Sequence, residues 1–341
     1  MNPYIMTVLL FGLGLGTTIT FASSHWLLAW MGLEINTLAI IPLMAQQHHP
    51  RAIEATTKYF LTQATAAATL LFASVTNAWL TGQWDIQQMV HPLPLTMITL
   101  ALALKIGLAP LHTWLPEVLQ GLDLTTGLIL STWQKLAPFI LLLQIAKTDQ
   151  TMLVGLALAS TLVGGWGGLT NTYSSIAHLG WMVLIIQFAP SLTLLALILY
   201  FVMTFSAFLT FKINNATTIN MLAASWAKTP VITATAPMIL LSLGGLPPLT
   251  GFMPKWLILQ EMTKQDLAST ATVAALTALI SLYFYLRLSY AMTLTMSPNN
   301  LTGTTPWRLT SKQLSLPLST SIMMTATLLP LTPAVTSLLT L

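Results

Sequence analysis

The sequence predicts an all-α, polytopic membrane protein of about eleven transmembrane helices, built as inverted five-helix repeats with two broken helices. Three observations carry that prediction. Hydrophobic residues make up 55% of the chain and charged residues 6%, against roughly 25% charged in an average soluble domain, and the mean hydropathy is +0.77. Apolar runs recur at the length that crosses about 30 Å of hydrocarbon, about 20 residues. Two of those runs carry the same glycine and proline interruption.

In chain order the runs are Pro3–Ala22, His25–Ala45, Thr57–Leu80, Leu93–Gln120 (broken), Leu124–Ala146, Met152–Thr170, Ser174–Ala189, Leu192–Phe211, Thr233–Leu259 (broken), Leu267–Met292 and Leu318–Leu339. The connections 46–56, 81–92, 212–232 and 293–317 are too short to fold separately, so residues 1–341 form a single integral membrane domain. Basic residues follow even-numbered spans (Arg51, Lys58, Lys212, Lys228, Arg308, Lys312) more than odd-numbered ones (Lys147, Lys264). By the positive-inside rule the N-terminus faces the basic side and the C-terminus the opposite one.

Gly107–Pro116 aligns without a gap on Gly245–Pro254, with five of ten positions identical and Trp114 facing Phe252. A proline inside a helix removes a backbone hydrogen bond, and in a membrane the freed groups must be buried in protein or face water. Paired interruptions in two halves are the sequence sign of an inverted-repeat transporter. Repeat one covers about 3–146, repeat two about 149–292, and a last helix about 318–339. Ionisable residues then recur in corresponding spans: Glu34 and His178 in the second, Lys105 and Lys255 in the fourth, Lys135 and Arg287 in the fifth.

A charge in mid-membrane is costly, about 2.5–3.5 kcal/mol on insertion scales, and marks a functional route by default. Lys105 and Lys135 lie too deep in their runs to snorkel easily. Glu34 also has a plainer reading, a hydrogen bond to a neighbouring helix. Lys255 can be read as an interfacial anchor, His178 as a satisfied core histidine, and Arg287 as a snorkelling side chain. His112, Glu117 and Asp123 line a half-channel or belong to a solvated helix end.

Other chemistries are excluded. There is no cysteine, hence no disulfide, thiolate metal site or cysteine nucleophile. No metal site is expected. The basic residues are scattered, which excludes a nucleic-acid patch. Gly12, Gly14 and Gly16 sit inside a spanning run with no strand before them and read as packing glycines. No phosphate loop, catalytic triad or carboxylate dyad is present. The opening MNPYIM carries no basic or Ser-rich leader, which points to insertion by the first helix or synthesis inside the protein's own compartment.

Several long stretches carry a resemblance. Trp30-Met-Gly-Leu-Glu34-Ile-Asn36, Glu54-Ala-Thr-Thr-Lys58-Tyr-Phe60-Leu-Thr-Gln63, Lys105-Ile-Gly-Leu-Ala-Pro110-Leu-His112, Thr132-Trp-Gln-Lys135-Leu-Ala-Pro138, Tyr173-Ser-Ser-Ile-Ala-His178-Leu-Gly-Trp181 and Gly244 through Trp256 are among them. Over nearly its whole length the chain resembles the antiporter-like membrane subunits of mitochondrial NADH–ubiquinone oxidoreductase (complex I) of the vertebrate type. That family is related to cation/proton antiporters. Bacterial members have fourteen helices, and the resemblance implies that this chain lacks the first three.

The resemblance implies a proton relay in which Glu34 pairs with Lys105, within salt-bridge reach. Lys135 would be central, His178 and waters would bridge, and Lys255 would lie toward the exit, all along one hydrated polar line. It also implies that flavin mononucleotide, iron–sulfur clusters and ubiquinone are bound by other subunits, with no cofactor in this chain. Its partners would be the other membrane-arm subunits and lipids of the mitochondrial inner membrane, with the N-terminus on the matrix side. In such a pair, a carboxylate brought near a buried lysine favours the charged amine, and one withdrawn favours its loss of the proton. Two other readings stay open: a freestanding cation/proton antiporter and a purely structural membrane subunit.

Overall fold

A computed structural model describes residues 2–46, 49–89, 91–145, 150–167, 171–216, 218–227, 229–294 and 316–340. Lys147, Lys228, Arg308 and Lys312, which set the predicted orientation, lie outside the described residues. Every expected span is a helix or a pair of helices. The helices are α1 (Pro3–Ala22), α2 (Trp26–Met44), α3 (Pro50–Thr81), α4 (Pro92–Ile106), α5 (Trp114–Gly121), α6 (Leu124–Ser131), α7 (Trp133–Ile145), α8 (Gln150–Trp166), α9 (Asn171–Ile185), α10 (Pro190–Ile213), α11 (Ile219–Ala224), α12 (Pro230–Gly244), α13 (Phe252–Lys264), α14 (Ala268–Leu294), α15 (Leu316–Thr327) and α16 (Thr332–Thr340). Among the described residues, six segments are single helices, or nearly continuous ones, long and apolar enough to span. Contacts divide the chain into two compact units, Met1–Val163 with Thr170–Pro190, and Gly164–Leu169 with Ser191–Leu341.

In the first unit α1 begins where Asn2 caps the helix, its side chain accepting from the Tyr4 amide at 3.2 Å, with Pro3 in the first turn. Its buried residues, Leu13, Gly16, Thr17 and Thr20, form one helical stripe. Across from it, a Cβ on Gly16 would stand 2.8 Å from the Gly32 carbonyl, and one on Gly12 would touch Ala39. Small residues let the two backbones approach, as membrane helix pairs require. Gly14 meets nothing within 4 Å and takes no part. Helix α3 has 32 residues, about 48 Å at 1.5 Å per residue, so its first turns with Arg51, Glu54 and Lys58 extend beyond a bilayer core. It stops at Gly82, in the left-handed conformation at φ 72°.

Hydroxyls within the helices close on their own backbone. Thr17, Thr56, Thr99 and Thr277 each donate to the carbonyl three residues back, at 2.7–2.9 Å. A donor placed in hydrocarbon is thereby satisfied inside its own helix.

The two predicted breaks are real and share one geometry. Helix α4 ends at Gly107 (φ 83°, ψ 41°) and α12 at Gly245 (φ 82°, ψ 42°), both left-handed. In the first, the amides of Gly107 and Leu108 both donate to Ala103 O at 2.9 Å; in the second, those of Gly245 and Leu246 donate to Leu241 O at 3.1 and 3.2 Å. These are Schellman-type closures, for which glycine is needed because other residues pay for φ > 0.

One expectation needs correction in the C-terminal half. The segment 318–339 is not one helix: α15 and α16 meet through a short 3-10 turn, Leu329–Leu331, with a bend of 70°. Pro330 and Pro333 lack the amides that would continue the ladder. The connection 212–232 holds the short helix α11. Thr250, in the second break, donates its hydroxyl to Thr325 O at 2.7 Å, one turn before the bend. Thr250→Val keeps the shape and removes that donor. It is expected to cost about 1 kcal/mol and to speed hydrogen exchange around residues 325–331; unchanged exchange there would show that the contact holds nothing.

Candidate proton-transfer site

The interruption of α4 and α5 places a buried polar pocket in the first unit. Residues 106, 108 and 109 are fully buried, so the freed backbone is enclosed by protein. The Trp114 indole donates to Leu104 O at 3.0 Å, satisfying one of the carbonyls that α4 leaves open. Trp114 in turn packs on Tyr59 of α3, ring centroids 5.8 Å apart. On the far side, α6 and α7 are separated only by Thr132, whose hydroxyl donates to Leu128 O at 2.7 Å. Lys135 stands in the first turn after that irregularity.

Between these elements lies a cavity of about 20 Å³. Lys105, Lys135, Tyr59, Gln63, Gln134 and Asn36 are among its lining residues. The structure therefore brings Lys105 and Lys135 together, 6% and 2% exposed. The Lys105 ammonium has no hydrogen-bond partner among the described residues. Gln134 donates one amide N–H to Asn36 O at 3.3 Å. Gln63 and Asn36 were not assigned a role from the sequence, although each is an amide in the middle of an apolar helix.

Glu34 is not a contact partner of Lys105. Among the described residues the ion pairs are Lys58–Glu54, Lys58–Glu117 and Lys264–Glu261. Glu34 lies one residue off the α2 face that Leu33 and Thr37 present to the cavity, and its Oε2 is buried without a hydrogen-bond partner. It is near enough to act electrostatically on Lys105 and on Tyr59.

His178 is buried in α9, 7% exposed, and does not line this cavity. His112, in the first break, packs edge-on against Tyr173 of α9 at 6.0 Å. Glu117 belongs to an exposed ion cluster: Lys58 bonds both Glu117 and Glu54 at 2.8 Å. The solvated-helix-end reading therefore holds for it. Arg287 is exposed on α14, as a snorkelling residue would be.

Lys255 lies in the second unit and differs from Lys105 in placement. Lys105 precedes its break, in the last turn of α4, whereas Lys255 follows its break, in the first turn of α13. The two are thus not equivalent positions, despite belonging to corresponding spans. Lys255 is 9% exposed, and its ammonium donates to Gly244 O at 2.8 Å. It caps the open, partly negative end of α12, the role that Trp114 performs for α4.

Buried lysines in a polar cavity beside an interrupted spanning helix are the equipment of a membrane protein that moves ions or protons. Similarity to known proteins narrows this class. Residues 23–281 match the family described as "NADH:quinone oxidoreductase/Mrp antiporter, TM", and residues 282–336 match "NADH dehydrogenase subunit 2 C-terminus". The chain is 73% identical to NADH-ubiquinone oxidoreductase chain 2 of Tetraodon nigroviridis over 99% of both chains. It is 70% identical to that of Salmo salar over 100% of both. Among solved structures it is similar to a chain of respiratory complex I from Thermus thermophilus, with 27% identity and a TM-score of 0.85, covering 99% of this chain and 80% of that one. A chain of the Mrp complex from Dietzia sp. shares the fold, with a TM-score of 0.78 at 15% identity, covering 96% of this chain and 75% of that one. The chain belongs to the NADH–ubiquinone oxidoreductase chain 2 family.

Proposed function

We propose that this chain carries protons across the mitochondrial inner membrane as an antiporter-like subunit of NADH–ubiquinone oxidoreductase. In this reading Lys105 and Lys135 are the relay, Glu34 modulates Lys105 through space, and the path continues through His178 toward Lys255. The observation that carries the reading is the shared cavity: two buried lysines, one without a hydrogen-bond partner among the described residues, beside a broken helix. Uncompensated buried charge is too costly to be kept for packing alone.

The partners in this reading are other membrane-arm subunits and surrounding lipid. Electron transfer, with flavin, iron–sulfur clusters and ubiquinone, takes place elsewhere in the complex. The N-terminus faces the matrix and the C-terminus the intermembrane space, and the repeats 3–146 and 149–292 cross the membrane in opposite directions. A structural role is favoured at one position only, Lys255, whose ammonium is engaged by the Gly244 carbonyl.

Lys105→Met keeps the side-chain length and removes the proton site. In complexes reconstituted into vesicles it is expected to lower the proton-to-electron ratio of NADH oxidation while leaving the quantity of assembled complex near normal. Glu34→Gln should lower the ratio less, because the lysine remains. Normal assembly with an unchanged ratio in Lys105→Met would establish a purely structural subunit instead.

A further inference from the structure

We propose that Gln63 is a positioning residue that holds a single water molecule between Lys105 and Lys135; the proposal rests on the proton-relay reading of these lysines. The cavity they line, about 20 Å³, is of one-water size, since roughly 10–15 Å³ of this measure admits one. A water there needs two to four polar partners, and the lining supplies them unevenly. One of the two Gln134 amide N–H donors is taken by Asn36 O at 3.3 Å. The Asn36 side chain lies against Gly16 of α1, and its Oδ1 and Nδ2 are themselves buried without a partner among the described residues. Gln63 is 4% exposed, and its Nε2 is buried with no partner among the described residues, like the ammonium of Lys105.

The Lys105 ammonium and the Gln63 amide are buried donors without partners lining one cavity; they call for a shared acceptor, and an oxygen with two lone pairs serves both. Gln63 is fixed for this task by its helix. It lies one turn beyond Tyr59, which is itself held by the Trp114 ring. An amide neither gains nor loses net charge near neutral pH, so Gln63 orients the water without competing for the proton. The water then accepts from the Lys105 ammonium and stands ready to pass a proton toward the amine of Lys135. Each transfer conserves charge: the donor lysine becomes neutral as the acceptor becomes an ammonium.

Gln63→Met has nearly the same volume and no donor. In the assembled complex it is expected to reduce the proton-to-electron ratio by an amount comparable to Lys105→Met, with NADH oxidation and assembled quantity retained. Gln63→Asn, which restores an amide, is expected to recover part of the loss. A high-resolution map of the wild-type complex should show one density peak within hydrogen-bonding distance of both Lys105 Nζ and Gln63 Nε2, absent in Gln63→Met. If Lys105→Met lowers the ratio and Gln63→Met does not, or if the wild-type peak is missing, the role of Gln63 is overturned and the relay stands. If Lys105→Met itself has no effect, the relay reading fails first.

Discussion

Gly251→Ala is expected to prevent the chain from accumulating in its complex. The added Cβ would collide with the carbonyl of Ser242 and approach Met203 Sδ at 3.2 Å. Gly251 has φ −65° and ψ −16°, a conformation any residue adopts, so the demand for glycine comes from space alone. The obstacle is backbone at the end of α12, held by the closure at Gly245, and it cannot swing aside as a side chain would. Overpacking of a tight site costs about 1–3 kcal/mol or more, a large share of the stability of a typical domain. Gly14→Ala, where nothing lies within 4 Å, serves as the control. Equal quantities of both variants in assembled complex would show that the second break is looser than described.

Lys135→Met, alone and combined with Lys105→Met, gives the sharpest functional outcome. Two sites in series lose transport when either is removed, so the double variant should be no worse than the more affected single one. Two independent contributions would instead add, as for sites without shared partners. The measurement is the proton-to-electron ratio in vesicles for the three variants and the wild type. Additive losses would separate the two lysines into different functions, even though they line one cavity.

The sequence was most informative where a local rule decided the structure. The breaks at Gly107 and Gly245 were legible because glycine and proline act on their own backbone within a turn. The burial of Lys105 and Lys135 followed from their place inside apolar runs. Pro330 and Pro333 carry the same kind of local signal, and the bend at 329–331 falls on them, inside an apolar run long enough to suggest one continuous helix. What stayed hidden depends on which helix faces lie together. The distance between Glu34 and Lys105, the pairing of Lys58 with Glu117, and the meeting of Gln63 with two lysines all require tertiary packing. Corresponding spans likewise did not ensure corresponding positions, as Lys105 and Lys255 fall on opposite sides of their breaks.

The hydroxyls that fold back onto their own helices make much of this chain interchangeable at low risk. Because Thr17, Thr56, Thr99 and Thr277 ask nothing of a neighbouring helix, exchanging such a residue for valine or alanine strands no partner elsewhere. The exceptions are the few hydroxyls that reach across to another segment, such as Thr250 to Thr325 and Thr229 to Asn214. Two chains of this kind can therefore drift apart at many threonine positions while their polar architecture stays the same, and the cross-segment hydroxyls are where such drift would first be felt.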